Sequence, residues 1–326
     1  MKPVIRVSHQ GKGNFGNEFF WYIFGKTYAR RHGLELEVSP WMGNALFGTN
    51  DPAPGAEALA CIYEKSEHGV DDTVIPHAPP FANVSFVGYF QYHTSYYAAD
   101  REYIRSLFQP RPEIATLLDR GWMGLRERGG TAVALHLRRR DYGFLYHYRT
   151  PTKWYLDLLE QIWPGLDRPF LYIASDEIDA VIGDFARYAP VSATDLAPPL
   201  AAFDFYRDFY ALQHADVVLI PNSTFSFAAA MLNRGLQASY RSFLPARRFV
   251  PFDPWNSKPL EQKWEAYVER YPLLPEIWKP MPAWKRWLKW IRFHFRKTMY
   301  DLGIFRADGR PSAARRAPLR PIHPAG

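Results

Sequence analysis

Three consecutive arginines at the end of a short apolar run are the strongest chemical signal in the sequence. Residues 136–142 read His-Leu-Arg-Arg-Arg-Asp-Tyr, directly after a predicted strand over residues 131–137. A guanidinium group binds phosphate through a planar fork of N–H donors, often in a bidentate manner. In a partly closed crevice such a charge would stabilise a departing diphosphate. The alternative interpretation is a solvated basic turn.

A second motif is rich in hydroxyl groups and comes just before a predicted helix. Residues 221–227 read Pro-Asn-Ser-Thr-Phe-Ser-Phe, after a predicted strand that ends at residue 221. Hydroxyls and the backbone N–H groups of a helix start form a seat for phosphate. A plain N-cap at Ser223 or Thr224 is the alternative. Residues 175–177, Ser-Asp-Glu, form a third motif. They could contribute to a ligand site, or Ser175 or Asp176 could simply cap the next helix.

A fourth motif lies near the N-terminus, where residues 11–18 read Gly-Lys-Gly-Asn-Phe-Gly-Asn-Glu after a predicted strand. Glycines at this position let the backbone approach a ligand, and the following helix N-terminus favours anions. With Glu37 about twenty residues further on, the motif also fits the loose fingerprint of dinucleotide-binding proteins. A tight turn without a ligand remains the alternative.

The elements that must position these motifs alternate between strand and helix, which predicts parallel sheets. Strands are predicted over 4–8, 34–38, 84–90, 131–137, 170–174 and 217–221. Helices are predicted over 18–31, 97–108, 114–128, 153–162, 178–187, 203–213 and 225–232. Ligands bind such sheets at the carboxyl ends of their strands, which is where the motifs lie.

We predict an α/β fold with two Rossmann-like domains, over residues 1–129 and 130–276, with a boundary at the Gly129-Gly130 pair. A basic amphipathic helical tail over 277–309 and a disordered Pro/Ala/Arg-rich end over 310–326 complete the predicted organisation.

The composition limits the possible locations and metal sites. Neither a signal peptide nor an apolar run of membrane-spanning length is visible, so we expect a cytoplasmic protein. The single cysteine, Cys61, excludes an intrachain disulfide and a cysteine-based zinc site, and we expect it to be a small buried residue.

The basic charge is concentrated in the tail. From residue 277 onward there are twelve Lys and Arg against two Asp and Glu, in a chain with a net charge of +7. One helical face over 284–302 carries apolar residues, and the other is largely basic. The apolar residues are Trp284, Trp287, Leu288, Ile291, Phe295, Met299 and Leu302. Such a helix could contact an anionic membrane, on the inner face of the cell membrane, or pack on the protein itself.

Together the motifs resemble the α-1,2-fucosyltransferase family (glycosyltransferase family 11), whose relatives include the α-1,6- and protein O-fucosyltransferases. The family's Gly-x-x-Gly-Asn-Gln opening is similar to residues 13–22, and its Gly-Tyr-Phe-Gln element matches residues 88–91. Its His-x-Arg-Arg-Gly-Asp-Tyr element resembles residues 136–142. Its Ser-Asp-Asp/Glu element and its Asn-Ser-[Ser/Thr]-Phe-Ser-Trp element resemble residues 175–177 and 222–227.

Three departures from the family pattern leave the acceptor and the linkage open. Arg140 stands where glycine is usual, Glu18 replaces Gln, and Phe227 replaces Trp.

The resemblance implies a GT-B-like fold, with two Rossmann-like domains facing a cleft. It also implies inverting transfer of L-fucose from GDP-β-L-fucose to a hydroxyl of a glycan acceptor. An α-1,2 linkage in bacterial surface polysaccharide or oligosaccharide synthesis is expected, and a lipid-linked acceptor would suit a membrane-bound tail. No nucleic-acid partner and no cofactor are expected.

The resemblance also implies roles for individual residues. Arg138 is similar to the ligand of the GDP β-phosphate, and Asn17 matches a position near the reacting carbon. The predicted GDP-sugar-binding residues are His136, Arg138, Arg139, Asp176, Asn222, Ser223, Thr224, Ser226, Gly13 and Gly16. The predicted catalytic residues are Arg138, Asp141 and Asn17.

The sequence contains no Asp-x-Asp pair, so no bound metal is predicted, and charge must be neutralised by Arg138, helix N-termini and hydroxyls. The general base stays open. Asp141 and Glu18 are candidates, but Asp141 fits an ion pair with Arg139 or Arg140 better.

Two other classes of function compete with the transferase. A nucleotide-cofactor oxidoreductase would use residues 11–16 with Glu37 but would leave the arginine cluster unexplained. A non-catalytic sugar- or nucleic-acid-binding protein would use the basic tail, and its binding would depend strongly on salt.

Overall fold

The computed structural model describes residues 2–8, 14–64, 75, 78–143 and 147–260, together with six single positions between 284 and 295. It confirms the predicted mixed α/β class with parallel sheets. The described residues divide into two compact units. The first unit holds the described residues within 2–41 and 50–92 together with the six positions between 284 and 295, and the second holds those within 42–49 and 93–260.

The first unit is built on a four-stranded parallel sheet. Its strands are β1 (Val4–Ser8), β2 (Glu35–Val38), β3 (Ala60–Tyr63) and β4 (Val84–Val87), in the spatial order β2-β1-β4-β3. Helix α1 (Phe15–His32) connects β1 to β2 as the crossover that parallel neighbours require.

Helix α1 has clear start and stop signals in the sequence. Asn14 holds an extended conformation just before the helix, and Glu18 places an acidic residue in the first turn. Arg30 and Arg31 lie in the last turn, where positive charge is favoured by the helix dipole. Gly33 then adopts the left-handed conformation that ends many helices. The predicted helix over 18–31 is confirmed, and the observed helix begins three residues earlier.

The prediction that Cys61 is buried was wrong. Cys61 lies on β3, an edge strand of the first sheet, and its side chain is exposed. The sequence reading also missed β3, because four residues with one strongly apolar position give a weak alternating pattern.

The second unit contains a five-stranded sheet with the spatial order β6-β5-β7-β8-β9. The strands are β5 (Ala132–Leu137), β6 (Phe170–Ser175), β7 (Val217–Ile220), β8 (Ala238–Phe243) and β9 (Arg248–Pro251). All neighbours are parallel except β9, which returns antiparallel to β8 at the edge.

Eight α-helices accompany this sheet among the described residues of the second unit. They are α2 (Met42–Phe47), α3 (Arg101–Leu107), α4 (Pro112–Arg126), α5 (Thr152–Ile162), α6 (Ile178–Val181), α7 (Ala193–Leu196), α8 (Phe205–His214) and α9 (Thr224–Leu232). Four elements were not predicted from the sequence: the helices α2 and α7 and the strands β8 and β9. The predicted helix over 178–187 is α6 followed by a 3₁₀ turn, Ile182–Tyr188.

Strand β5 is buried along its whole length, which explains its nearly continuous apolar sequence. Val133, Leu135 and Leu137 belong to the hydrophobic core on one face of the sheet, with Leu159 of α5 and Phe185. The other face of the strand carries Ala134 and His136, so a single imidazole is placed in an otherwise apolar strand. This alternation directs His136 toward α9.

The Gly129-Gly130 pair, where the sequence suggested a domain boundary, lies inside the second unit. A Cβ atom at Gly129 would come 2.1 Å from the carbonyl oxygen of Arg168, and the Gly130 N–H group donates to that oxygen at 3.0 Å. The pair therefore allows two backbones to pack closely beside the start of β5.

Some predictions fall on residues outside the described part. These are Gly13 of the glycine-rich turn, the helical tail over 277–309 except for six single positions, and the segment 310–326. In the part of the chain that the structure describes, no helix is long and apolar enough to cross a membrane.

A pair of glycines on α4 offers a matched test of the packing in the second unit. A Cβ atom at Gly121 would lie 1.8 Å from the carbonyl oxygen of Leu196 on α7, whereas Gly124 has nothing within 4 Å. We expect Gly121→Ala to lower the free energy of unfolding by at least about 2 kcal/mol. Gly124→Ala should raise it by about 1 kcal/mol, because alanine favours helix. Urea denaturation would measure both, and equal effects would contradict the packing of α4 on α7.

Candidate functional site

Three of the four sequence motifs meet at one edge of the second sheet. Residues 138–142 follow β5, residues 175–177 end and follow β6, and residues 222–227 lie between β7 and the first turn of α9. Because β5 lies between β6 and β7, the carboxyl ends of all three strands are neighbours. This edge is where open parallel sheets bind ligands.

The carboxylate of Asp176 organises the turn after β5. One oxygen accepts a hydrogen bond from the backbone N–H of Arg139 at 2.8 Å, and the other accepts from the N–H of Arg140 at 3.2 Å. The Arg138 guanidinium lies 3.1 Å from the same carboxylate. Asp176 therefore stabilises the arginine turn and does not act as the helix cap that the sequence also allowed.

Ser175 contributes to the same junction between neighbouring strands. Its hydroxyl donates to the carbonyl of Leu137 at 2.9 Å and accepts from the N–H of Glu177 at 3.1 Å. It thereby ties the end of β6 to the end of β5.

Arg138 is the arginine of the cluster that keeps a substantial exposed surface while being held in place. Its Nε atom lies 2.8 Å from Asp141, and 30% of its side chain is exposed. Burial alone would lower the pKa of Arg138, but the hydrogen bond with Asp141 and the charge of Asp176 raise it. The guanidinium is thus a fixed positive charge at the strand edge. The ion pair of Asp141 is with Arg138, a partner that the sequence reading did not name.

Arg139 is placed quite differently from Arg138. It is buried, and its guanidinium donates to the carbonyl of Thr150 at 2.8 Å and to the Thr152 hydroxyl at 3.2 Å. Arg149 in turn donates to the carbonyl of Arg139 at 2.9 Å and to that of Tyr142 at 3.2 Å. These contacts hold residues 149–152 against the arginine turn. Arg139 therefore stabilises the conformation of the loop.

His136 is buried and neutral. Burial, followed by the charges of Arg138 and Arg139, lowers its pKa to about 3. Its Nδ1 atom lies 2.8 Å from the hydroxyl of Ser226 on α9, and its ring contacts Phe225 at 5.3 Å between centroids. The imidazole therefore offers hydrogen bonding without charge and joins β5 to α9.

The start of α9 presents polar groups at the same edge. Ser223 precedes the helix in an extended conformation, and its side chain makes no capping hydrogen bond. The hydroxyl of Tyr142 donates to the carbonyl of Asn222 at 2.8 Å, which connects the arginine turn to this segment. The first-turn N–H groups, beginning at Thr224, and the positive end of the helix dipole favour an anion here.

A further carboxyl group at this edge escaped the sequence reading. Asp208 on α8 accepts a hydrogen bond from the Tyr172 hydroxyl at 2.9 Å, and the N–H of Ser175 also contributes to its environment. Burial raises its pKa to about 7, against the opposing effects of Tyr172 and Arg207. No sequence signal marks Asp208, because an aspartate within an amphipathic helix usually faces solvent.

The predicted residues of the first unit form their own group. The side-chain oxygen of Asn17 on α1 accepts from Gln91 at 2.9 Å. The turn before Gln91 is held by Glu64, whose carboxylate accepts from the N–H groups of Tyr89 and Phe90 at 2.7 and 3.0 Å. Glu64 thus positions the Gly-Tyr-Phe-Gln element and was missed by the sequence reading. Gly16 is buried in the first turn of α1.

Glu37, the acidic residue of the dinucleotide hypothesis, is engaged within the first unit. Its carboxylate accepts from the N–H of Gly55 at 3.0 Å and pairs with Arg6. The Gly55 hydrogen bond, followed by that of Arg6, lowers the pKa of Glu37. These contacts give Glu37 a structural role in joining β1, β2 and the loop at Gly55.

Across the described residues, no group of three or more His, Cys, Asp and Glu side chains is arranged to hold a metal ion.

No protein-family model matches the sequence, and no curated protein matches it. Solved structures do. A NodZ α-1,6-fucosyltransferase soaked with GDP-fucose is 14% identical with a TM-score of 0.52, covering 78% of this chain and 99% of that one. Another structure of the fucosyltransferase NodZ, from Bradyrhizobium, gives the same identity, TM-score and coverages. A variant of Arabidopsis thaliana FUT1 in complex with GDP is 12% identical with a TM-score of 0.51, covering 76% of this chain and 72% of that one.

The likeness to these structures shows that the chain has a fucosyltransferase fold, in agreement with the predicted GT-B-like class. At 12–14% identity it establishes the fold alone.

The raised pKa of Asp208 predicts a pH dependence of stability. Since the folded-state pKa of Asp208, about 7, lies above that of an unfolded aspartate, the contribution of Asp208 to stability is fully present below the unfolded pKa and is lost as pH rises through 7. Asp208→Asn removes this loss while keeping an acceptor for Tyr172. The melting temperature should therefore fall less between about pH 5 and about pH 8 in the variant than in the unmodified protein. Buried histidines titrate in both proteins, so they cancel in the comparison, and identical slopes would refute the assignment.

Proposed function

We propose that this protein transfers L-fucose from GDP-β-L-fucose to a hydroxyl of a glycan acceptor, with inversion at the fucose C1 atom. The observation that carries the proposal is the Arg138 guanidinium, half-buried and held by Asp176 and Asp141 at the carboxyl edge of the second sheet. A fixed charge at this position is suited to a diphosphate leaving group.

The donor contacts follow from the chemistry of the edge. Arg138 binds the β-phosphate of GDP, and the first-turn N–H groups of α9 with the hydroxyls of Ser223 and Thr224 bind the remaining phosphate oxygens. The buried Ser226 hydroxyl acts on the nucleotide side through its contact with His136. Neutral His136 contributes hydrogen bonding beside the nucleotide.

The reaction breaks the bond between the fucose C1 atom and the β-phosphate oxygen, and forms a bond between C1 and the acceptor oxygen. Arg138 stabilises the negative charge that develops on the diphosphate. The motif resemblance makes Asn17 a further candidate for a catalytic role, and the acceptor proton passes to a carboxylate such as Asp141 or to phosphate or water.

The fold comparisons support the choice of donor. The NodZ enzyme was solved with GDP and with GDP-fucose, and the FUT1 variant was solved with GDP. The motif resemblance supports the α-1,2 linkage and a role in bacterial surface polysaccharide or oligosaccharide synthesis. The donor side is assigned to the second unit and the acceptor side to the first.

The donor class is tested by isothermal titration with GDP, GDP-fucose, UDP and NADH in the presence of EDTA. We expect binding of GDP and GDP-fucose alone. Arg138→Ala should abolish this binding and reduce the transfer rate by about a hundredfold or more, because it removes the charge that stabilises the leaving group. Arg140→Ala is the matched control, since Arg140 is an exposed neighbour in the same cluster.

Equal losses in the two arginine variants would mean that the cluster acts as a diffuse basic patch. A preference for UDP or NADH would overturn the donor assignment. Transfer of labelled fucose to terminal galactosides, followed by NMR of the product, would establish the linkage.

Asp141→Asn separates the two proposed roles of this carboxylate. As a counter-ion of Arg138 it competes with the diphosphate, so its removal should tighten GDP binding by about two- to fivefold, the range of an exposed ion pair. As the base it would leave GDP affinity unchanged and lower kcat instead. The dissociation constant and kcat of the same variant decide between the roles. Weaker GDP binding would contradict both and would show instead that Asp141 holds Arg138 in position for the phosphate.

A further inference from the structure

One buried tyrosine contacts both parts of the phosphate site proposed above. Tyr142 lies at the end of the arginine turn, and only 6% of it is exposed. The centroid of its ring lies 5.9 Å from the Cζ atom of Arg138. Its hydroxyl donates a hydrogen bond to the carbonyl of Asn222 at 2.8 Å. A single side chain therefore joins the turn that carries the arginine to the segment that precedes α9.

The hydroxyl of Tyr142 is a permanent donor at neutral pH. Burial raises the pKa of this hydroxyl above its ordinary value, and a hydrogen bond with the side chain of Ser223 opposes the shift without reversing it. The hydroxyl thus contacts two consecutive residues, Asn222 and Ser223. Because Ser223 directly precedes the first turn of α9, these contacts fix the backbone where the helix begins.

The ring of Tyr142 acts on the other part of the site. The guanidinium over its face makes a cation–π contact, which adds to the two ion pairs that Arg138 forms with carboxylates. The ring of His147 packs against the same tyrosine with 5.0 Å between the centroids. Arg149 donates to the carbonyl of Tyr142 at 3.2 Å. The tyrosine is thus held by its backbone, its ring and its hydroxyl.

A diphosphate needs both parts of the site at one fixed separation. Its two phosphates can bind a guanidinium and the N–H groups of a helix start at the same time only if these groups are correctly spaced. Groups that are already in place need no rearrangement when charge develops on the leaving group. A monophosphate can bind either group alone, so the spacing matters little for it.

The hydroxyl can be removed without separating the strand from the helix. His136 and Ser226 still join β5 to α9, with 2.8 Å between Nδ1 and the hydroxyl oxygen. We therefore expect loss of the Tyr142 hydroxyl to loosen residues 222–223 while the packing of β5 and α9 persists.

We propose that Tyr142 is a positioning residue that sets the separation between Arg138 and the start of α9. It thereby makes the site selective for a nucleoside diphosphate over a nucleoside monophosphate. Tyr142 acts through Arg138 and residues 222–223 and is not itself a phosphate ligand. This inference rests on the proposed GDP-dependent function.

The test is isothermal titration of Tyr142→Phe with GDP and, separately, with GMP. Phenylalanine keeps a ring beside Arg138 and loses the hydrogen bond to Asn222. We expect the affinity for GDP to fall by roughly three- to tenfold, the range of one hydrogen bond, and the affinity for GMP to change by less than about twofold. A purely structural defect would weaken both nucleotides equally.

Tyr148→Phe is the matched control. Tyr148 is a buried tyrosine of the same unit, and its hydroxyl also donates to a backbone carbonyl, that of Ser242 on β8, at 3.0 Å. Both variants should lose similar stability in urea denaturation, since each loses one buried hydrogen bond. The control should bind GDP and GMP as the unmodified protein does.

Three outcomes would overturn the proposal. The first is unchanged GDP affinity in Tyr142→Phe, and the second is equal weakening of GDP and GMP in that variant. The third is the same loss of GDP affinity in Tyr148→Phe, which would assign the effect to general loosening of the loop. Failure of the unmodified protein to bind GDP is a different result, because it would overturn the donor assignment itself and this proposal with it.

Discussion

The candidate site depends on one carboxylate that serves three groups of the neighbouring strand's turn. Asp176 accepts hydrogen bonds from the backbone N–H groups of Arg139 and Arg140 and pairs with the guanidinium of Arg138. A turn that carries three adjacent positive charges would otherwise open toward solvent. Because the carboxylate comes from β6 and the turn from β5, the register of the two strands fixes where Arg138 can be.

In the same arrangement the neighbouring arginines of the cluster have different roles. Arg139 is buried among backbone and hydroxyl acceptors, whereas Arg138 keeps its exposed edge at the end of the strand. A sequence of identical residues therefore contains one side chain that shapes the loop and another that stays partly exposed at the end of the strand. His136 links this loop to α9 without adding charge, since burial and the nearby arginines keep its imidazole neutral.

Periodicity and motif position were sufficient to predict the parallel sheets and the position of the motifs at the carboxyl ends of strands. Long apolar strands such as β5 and helices with clear ends such as α1 have strong local signals. Short edge elements such as β3 and β9 do not, because their conformation is set by pairing with distant residues. Asp208 and Glu64 could not be found for a related reason. Their importance arises from groups brought near by the fold, and nothing in their local sequence distinguishes them.

The ion pair between Arg138 and the largely exposed Asp141 has a consequence for turnover. Because Asp141 lies beside the Arg138 guanidinium, this charge keeps a counter-ion when a nucleotide departs. The carboxylate can return to the position that the phosphate vacates, so the protein supplies its own replacement for the product. In the proposed reaction cycle, this exchange of anions would favour release of GDP and limit inhibition by it.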